Sequence, residues 1–139
     1  MTAMHVVGAI IIDDGRVLSC RRAAHKASAG LWEFPGGKVH GGESSFEAIR
    51  RELLEELALE VTPIATFNRA STQVGDLVID LETVICRPKA SFQGSSTDHD
   101  DCRWLVISDL ASIKWAAPDV PAVDLLGEVK DLQSLLETR

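Results

Sequence analysis

A glycine-rich stretch that runs directly into a strongly helical one constrains this chain more than any other feature. Between Arg21 and Gly42 stand Gly30, Pro35, Gly36, Gly37, Gly41 and Gly42, around the short apolar piece Leu31-Trp32-Glu33-Phe34. Glycines in this number give the backbone the freedom that close approach to a ligand requires, so Arg21 to Gly42 reads as loop. Ser44 followed by Glu47 has the spacing of a capping box, and strong helix formers continue to Leu57. At about 100° per residue, Glu52, Glu55 and Glu56 share one helix face, while Phe46, Ile49, Leu53 and Leu57 occupy another. One side suits a core, and the other presents three carboxylates on a face open to solvent. Like charges at these spacings repel by roughly a few tenths of a kcal/mol per pair. A hard divalent cation, Mg²⁺ or Mn²⁺, would offset that cost with oxygen-only ligands. The plainer alternative is a solvated face with Arg50 and Arg51 as ion-pair partners.

The rest of the chain reads as sheet with scattered helical pieces. Met4 to Ile12 is rich in β-branched residues, and the turn signal Asp13-Asp14-Gly15 separates it from a second β run, Arg16 to Cys20. Leu59 to Ala70 and Leu77 to Cys86 read as β with a bend near Val74-Gly75-Asp76, and Arg87 to Asp101 reads as polar and irregular. Cys102 to Ile107 is a short strand, Ser108-Asp109-Leu110 begins a helical turn, and Asp119 is placed to cap a final helix toward Leu136. The expected class is α/β (α+β), a mixed sheet packed between helices.

Composition excludes several functions. The 21 acidic against 14 basic residues leave a net charge of −7, the wrong sign for gripping a nucleic-acid polymer. A small polyphosphate remains compatible if divalent cations neutralise both sides. With 139 residues, 45% of them apolar, one domain over residues 1–139 can bury a core without a disulfide or metal staple. Cys20, Cys86 and Cys102 are odd in number and widely spaced, which predicts reduced core cysteines rather than a disulfide framework or zinc ribbon. The longest apolar run, Val6 to Ile12, is too short for a membrane span and follows no basic region, so a cytoplasmic address without a membrane partner is expected. His5, His25, His40 and His99 show no metal-ligand spacing, and no serine or cysteine sits in a nucleophile motif.

Gly37, Glu43 and the run Arg51-Glu52-Leu53-Leu54-Glu55-Glu56-Leu57-Ala58-Leu59 reproduce a longer pattern of glycine, glutamates and arginine at fixed offsets. This segment resembles the signature of the Nudix hydrolases at every position but Ala58, where the pattern has glycine. Trp32-Glu33-Phe34-Pro35-Gly36-Gly37-Lys38 and Cys20-Arg21-Arg22-Ala23 resemble the MutT-like branch, and the resemblance covers nearly the whole chain. It implies a loop, helix, loop motif on one side of a mixed sheet. It also implies that Glu52, Glu55 and Glu56 bind Mg²⁺ or Mn²⁺ while water attacks a phosphorus, with the Gly37 carbonyl as a further ligand. Arg51 would orient a glutamate such as Glu43, or form an ordinary i,i+4 pair with Glu55. Asp98 stands where relatives carry a glutamate near the metals, as ligand or base; a solvated acidic loop of Asp98, His99, Asp100 and Asp101 is the alternative. Arg22 resembles the family's phosphate-contacting arginine, and a guanidinium fork matches phosphate oxygens.

Three further residues stay open between site and scaffold. Trp32 and Phe34 have the chemistry to stack on a base or to fill the core. Asp119, in Ala117-Pro118-Asp119-Val120-Pro121, stands where MutT-like relatives place a base-reading residue, and it would also serve as a plain N-cap. At Ala58 a positive φ would cost about 1–2 kcal/mol, so the helix is expected to run one residue longer instead. The resulting expectation is a metal-dependent pyrophosphohydrolase of nucleoside triphosphates, with cytosine-type substrates ahead of oxidised guanine. A Nudix-like nucleotide sensor without cleavage is the rival from another class. The oligomeric state is left open.

Overall fold

The first strand is apolar on both sides because both of its faces are covered. In β1 (Thr2–Asp13), Val7, Ala9 and Ile11 pack with one buried cluster, and Ile10 and Ile12 with the other. The computed structural model describes residues 2–92, 96 and 98–137. After β1 come β2 (Arg16–Arg22), β3 (Trp32–Glu33), β4 (Gly36–Lys38), α1 (Ser45–Leu57), β5 (Val61–Val74) and β6 (Leu77–Pro88). β7 (His99–Leu105), α2 (Ile107–Leu110) and α3 (Val120–Leu126) complete the order, with 3-10 turns at Ala117–Asp119 and Leu132–Leu136. The strand order is β3-β2-β1-β6-β5, with β4 beside β1 and β7 beside β2; β1 and β6 are parallel, and the other pairs are antiparallel. Among the described residues, this mixed sheet and three helices make an α/β fold, the class expected from the sequence.

Helix α1 lies over one face, where Ile49, Leu53 and Leu57 join Val7, Ile11 and Leu18 in the core. The opposite face is closed by Leu110, Trp115, Val123 and Leu126. Both capping-box bonds are present at Ser44 and Glu47. A buried carboxylate fixes the helix start on the sheet: Glu82 of β6 accepts from Ser45 Oγ at 2.6 Å and Thr66 Oγ1 at 2.7 Å, and His5 Nε2 lies 3.2 Å away.

Several sequence expectations need correction. Helix α1 does not run past Leu57: Ala58 itself takes the left-handed conformation, φ 52° and ψ 33°, and its N–H donates to the Leu53 and Leu54 carbonyls. The tight exit is kept because Leu59 N–H also reaches Leu53 O, at 3.3 Å, and satisfies helix-end carbonyls. Arg21 to Gly42 is not all loop. It contains β3 and β4, and Gly36 is required there because a Cβ would lie 1.9 Å from Val7 O. His99, Asp100 and Asp101 belong to β7 rather than to an irregular loop. No single helix runs from Asp119 to Leu136, since α3 stops at Leu126 before Gly127 and the chain resumes only as a 3-10 turn. None of the helices among the described residues is long and apolar enough to cross a membrane.

Candidate active site

Gly37 on β4 lies directly against the Glu52 carboxylate on α1. A Cβ on Gly37 would stand 2.5–2.6 Å from the Glu52 carboxyl atoms, so only glycine leaves that carboxylate its place. One turn further along the helix, Glu56 is 8% exposed, and its Oε2 has no hydrogen-bond partner among the described residues. Burial pushes its pKa up to about 9, and the charges of Glu52, Asp98 and Glu33 push in the same direction. The carboxylate face is therefore not open to solvent along its length, in contrast with the sequence expectation. Glu52 has a side-chain exposure of 15%, and Glu55, at 60%, points outward.

Arg51 organises the acids rather than pairing only with Glu55. Its Nε and one terminal nitrogen hold both Glu43 oxygens, at 2.7 and 3.0 Å, and the other terminal nitrogen donates to Glu52 Oε1 at 2.9 Å. A further bond to Lys38 O, at 3.0 Å, ties the guanidinium to β4, while Glu55 Oε2 is the longest contact at 3.4 Å. Hydrogen bonding from Arg51, helped by the His40 N–H, lowers the Glu43 pKa to about 2.

Asp98 approaches from the start of β7. Its backbone carbonyl accepts from Ala23 N–H at 3.0 Å, and its carboxylate pairs with Lys26 at 3.3 Å. Burial alone would raise its pKa, but the Lys26 ammonium overrides this and holds it below the ordinary value. Arg22 forks onto both Glu33 oxygens at 3.1 Å, and Glu33 Oε2 also lies 2.8 Å from His99 Nε2. Glu33 is the residue that sequence reasoning missed. Its neighbours come from β2 and β7, and no local spacing announces them.

Beside these acids lies a cleft of about 410 Å³, lined by Gly37, Arg22, Glu33, Leu81, Phe34 and Asp119 among others. Asp119 stands at the N-cap position of α3, but its side chain makes no capping bond; its Oδ2 accepts from Phe34 N–H at 3.0 Å, and burial raises its pKa well above the ordinary value. The Phe34 ring rests on Trp115, with centroids 4.8 Å apart, so its aromatic surface is largely used in the core. Trp32 likewise fills the core, with the Arg21 and Arg103 guanidiniums over its ring.

The donor set fits a hard divalent cation. The orphaned Glu56 oxygen, the adjacent Glu52 carboxylate and the Gly37 cradle gather oxygen ligands where burial and neighbouring charges oppose ionisation of Glu56.

Comparison with known proteins agrees with this arrangement. A family model described as NUDIX domain matches residues 2–126. The chain is 52% identical over 62 residues to the CTP pyrophosphohydrolase of Escherichia coli K12, covering 45% of this chain and 46% of that protein. It is 35% identical over 75 residues to the 8-oxo-dGTP diphosphatase of the same organism, covering 54% and 58%. In these two matches the chain spans about half the length of each relative. The solution structure of the E. coli ORF135 protein superposes with a TM-score of 0.73 at 33% identity, over 89% of this chain and 88% of that one. MutT from Methanosarcina mazei Go1 shares the fold, with a TM-score of 0.81 at 21% identity over 91% and 94%. The chain belongs to the Nudix hydrolase family, in its MutT-like branch, and is a pyrophosphohydrolase by class.

Proposed function

We propose that this protein converts nucleoside triphosphates and water to the nucleoside monophosphate and pyrophosphate, with residues 1–139 acting as one catalytic domain. The observation that carries the reading is the buried Glu56 oxygen near Glu52 and Asp98, without a hydrogen-bond partner among the described residues, on a site whose Gly37 and Glu33 also line a cleft of about 410 Å³. Glu52, Glu56, Asp98 and the Gly37 carbonyl would hold Mg²⁺ or Mn²⁺, with Glu55 at the outer edge. When bound, the ion neutralises phosphate charge and makes water more acidic. Arg51 keeps Glu52 and Glu43 in place, so the ligands do not have to be ordered anew in each turnover. Arg22 at the cleft wall would release Glu33 to take a phosphate oxygen, and Glu33 or Asp98 would receive the proton of the attacking water.

Cytosine-type triphosphates, namely CTP, dCTP and 5-methyl-dCTP, rank first. The chain is 52% identical over 62 residues to a CTP pyrophosphohydrolase, and Asp119 suits a donor edge such as the cytosine N4 amino group. Oxidised guanine triphosphate is the second reading. Burial of Asp119 favours its neutral form, which donates as well as accepts and so also meets a guanine O6. A panel of normal, methylated and oxidised nucleotides with Mg²⁺, following pyrophosphate and phosphate separately, tests both. Monophosphate with pyrophosphate, fastest for cytosine substrates, is expected. Phosphate release without monophosphate contradicts the reading, and binding without any cleavage would turn it toward a sensor.

A further inference from the structure

The fold brings together two cysteines that stand 82 positions apart in the sequence. Cys20 on β2 and Cys102 on β7 are directly opposite in the antiparallel ladder, and neither is disulfide-bonded. The next ladder step is irregular: Arg21 pairs with Asp101, but Arg22 pairs with His99 and skips Asp100. Such a bulge re-aims a side chain, and here it carries His99 to the cysteine pair. The two sulfurs and one ring nitrogen of His99 all lie within 4.8 Å of one another. Cys20 and His99 are buried, and Cys102 is partly open.

We propose that Cys20, Cys102 and His99 form a second cation site, selective for a thiophilic ion of the Zn²⁺ or Cd²⁺ type and adjacent to the carboxylate centre, with different donors. Two thiolates and an imidazole are the soft and borderline donors such ions select, whereas Mg²⁺ takes oxygen ligands. A tetrahedron with metal–sulfur bonds of about 2.3 Å has ligand–ligand edges of roughly 3.8 Å, so small side-chain rotations close the shell from its present spacing. Glu33, the ladder partner of Cys20 on β3, adds a carboxylate at the rim and already contacts His99. It serves as the fourth ligand, or orients the ring while water fills that position. Binding costs the ring one of its two present partners, Ser96 Oγ at 2.9 Å or Glu33. An occupied site ties β2 to β7 beside the catalytic acids.

The test is a titration of the reduced protein with Cd²⁺ in excess Mg²⁺, which keeps the carboxylate centre occupied. The expected result is a thiolate-to-cadmium absorption in the near ultraviolet that saturates at one equivalent, is displaced by Zn²⁺, and comes with a rise in Tm. Cys102→Ala, at a partly open strand position, should bind at least about tenfold more weakly, and His99→Gln should weaken binding as well. Cys86→Ala, the remaining thiol in the core, should behave as the parent. No saturating absorption in the parent, an unchanged titration in Cys102→Ala, or loss in Cys86→Ala overturns the proposal. Nucleotide turnover with Mg²⁺ alone is unaffected by which of these results is found, so this site and the proposed reaction fail separately.

Discussion

Asp119 is almost out of water, and the hydrogen bond it accepts from Phe34 N–H does not compensate for the burial of a charge. The native state therefore keeps a proton that the unfolded chain releases. With the folded pKa above the unfolded one, near 3.9, this group's contribution to stability is complete below about pH 4 and declines as pH rises toward the folded value. Asp119→Asn removes that decline, because an amide oxygen still accepts from Phe34. Melting curves from acid to neutral pH should show the variant gaining on the parent as pH rises; parallel curves would mean that the buried carboxyl is already ionised. The same substitution tests base recognition. With the amide oxygen on Phe34, the remaining group is a donor, so cytosine substrates should lose about 1–3 kcal/mol relative to oxidised guanine ones in kcat/KM. An unchanged ratio would remove Asp119 from base reading.

At the scale of the element, helix α1 does the most to place the chemistry, and its exit carries a local strain. Ala58 adopts φ 52° while exposed, so its methyl group gains no packing to offset the left-handed conformation. Ala58→Gly should stabilise the protein by about 1 kcal/mol, read as a higher denaturant midpoint with unchanged slope. A lower midpoint would mean that the glycine's extra freedom in the unfolded chain outweighs the relief. This helix was the most legible part of the sequence, since its cap, its apolar stripe and its acidic face all follow from spacing within one element. The strands β3 and β4 were not legible, because two or three residues among glycines carry no period and owe their pairing to β1 and β2. The split final helix was hidden too: Asp119 looks like a cap until the fold supplies the distant Phe34 N–H. Cys20, Glu33 and His99 share this property, for their partners lie on other strands and one of them is delivered by a bulge.

Across the whole molecule, the two sheet faces serve different ends. The α1 side gathers Glu52, Glu56, Asp98 and Glu33 in a region where burial and mutual charge oppose ionisation, while the opposite side closes the core around Trp115. A folded protein that holds clustered acids for a cation gains stability from that cation. Saturating Mg²⁺ should raise Tm, by about 2.7 kcal/mol of stabilisation at a hundredfold excess over Kd, and excess chelator should abolish turnover. A Tm indifferent to Mg²⁺ would contradict the cation site. The central claim is that Glu52 and Glu56 hold the ion that the reaction requires. In metal-free protein at neutral pH the Glu56 carboxyl is held neutral, with a pKa of about 9, so Glu56→Gln replaces one uncharged group with another and should leave the metal-free Tm close to the parent's. The decisive measurement is monophosphate production by Glu52→Gln and Glu56→Gln at saturating Mg²⁺, alongside that Tm. The account predicts that turnover falls by at least about 10²-fold in both folded variants; near-parental turnover in either would contradict it.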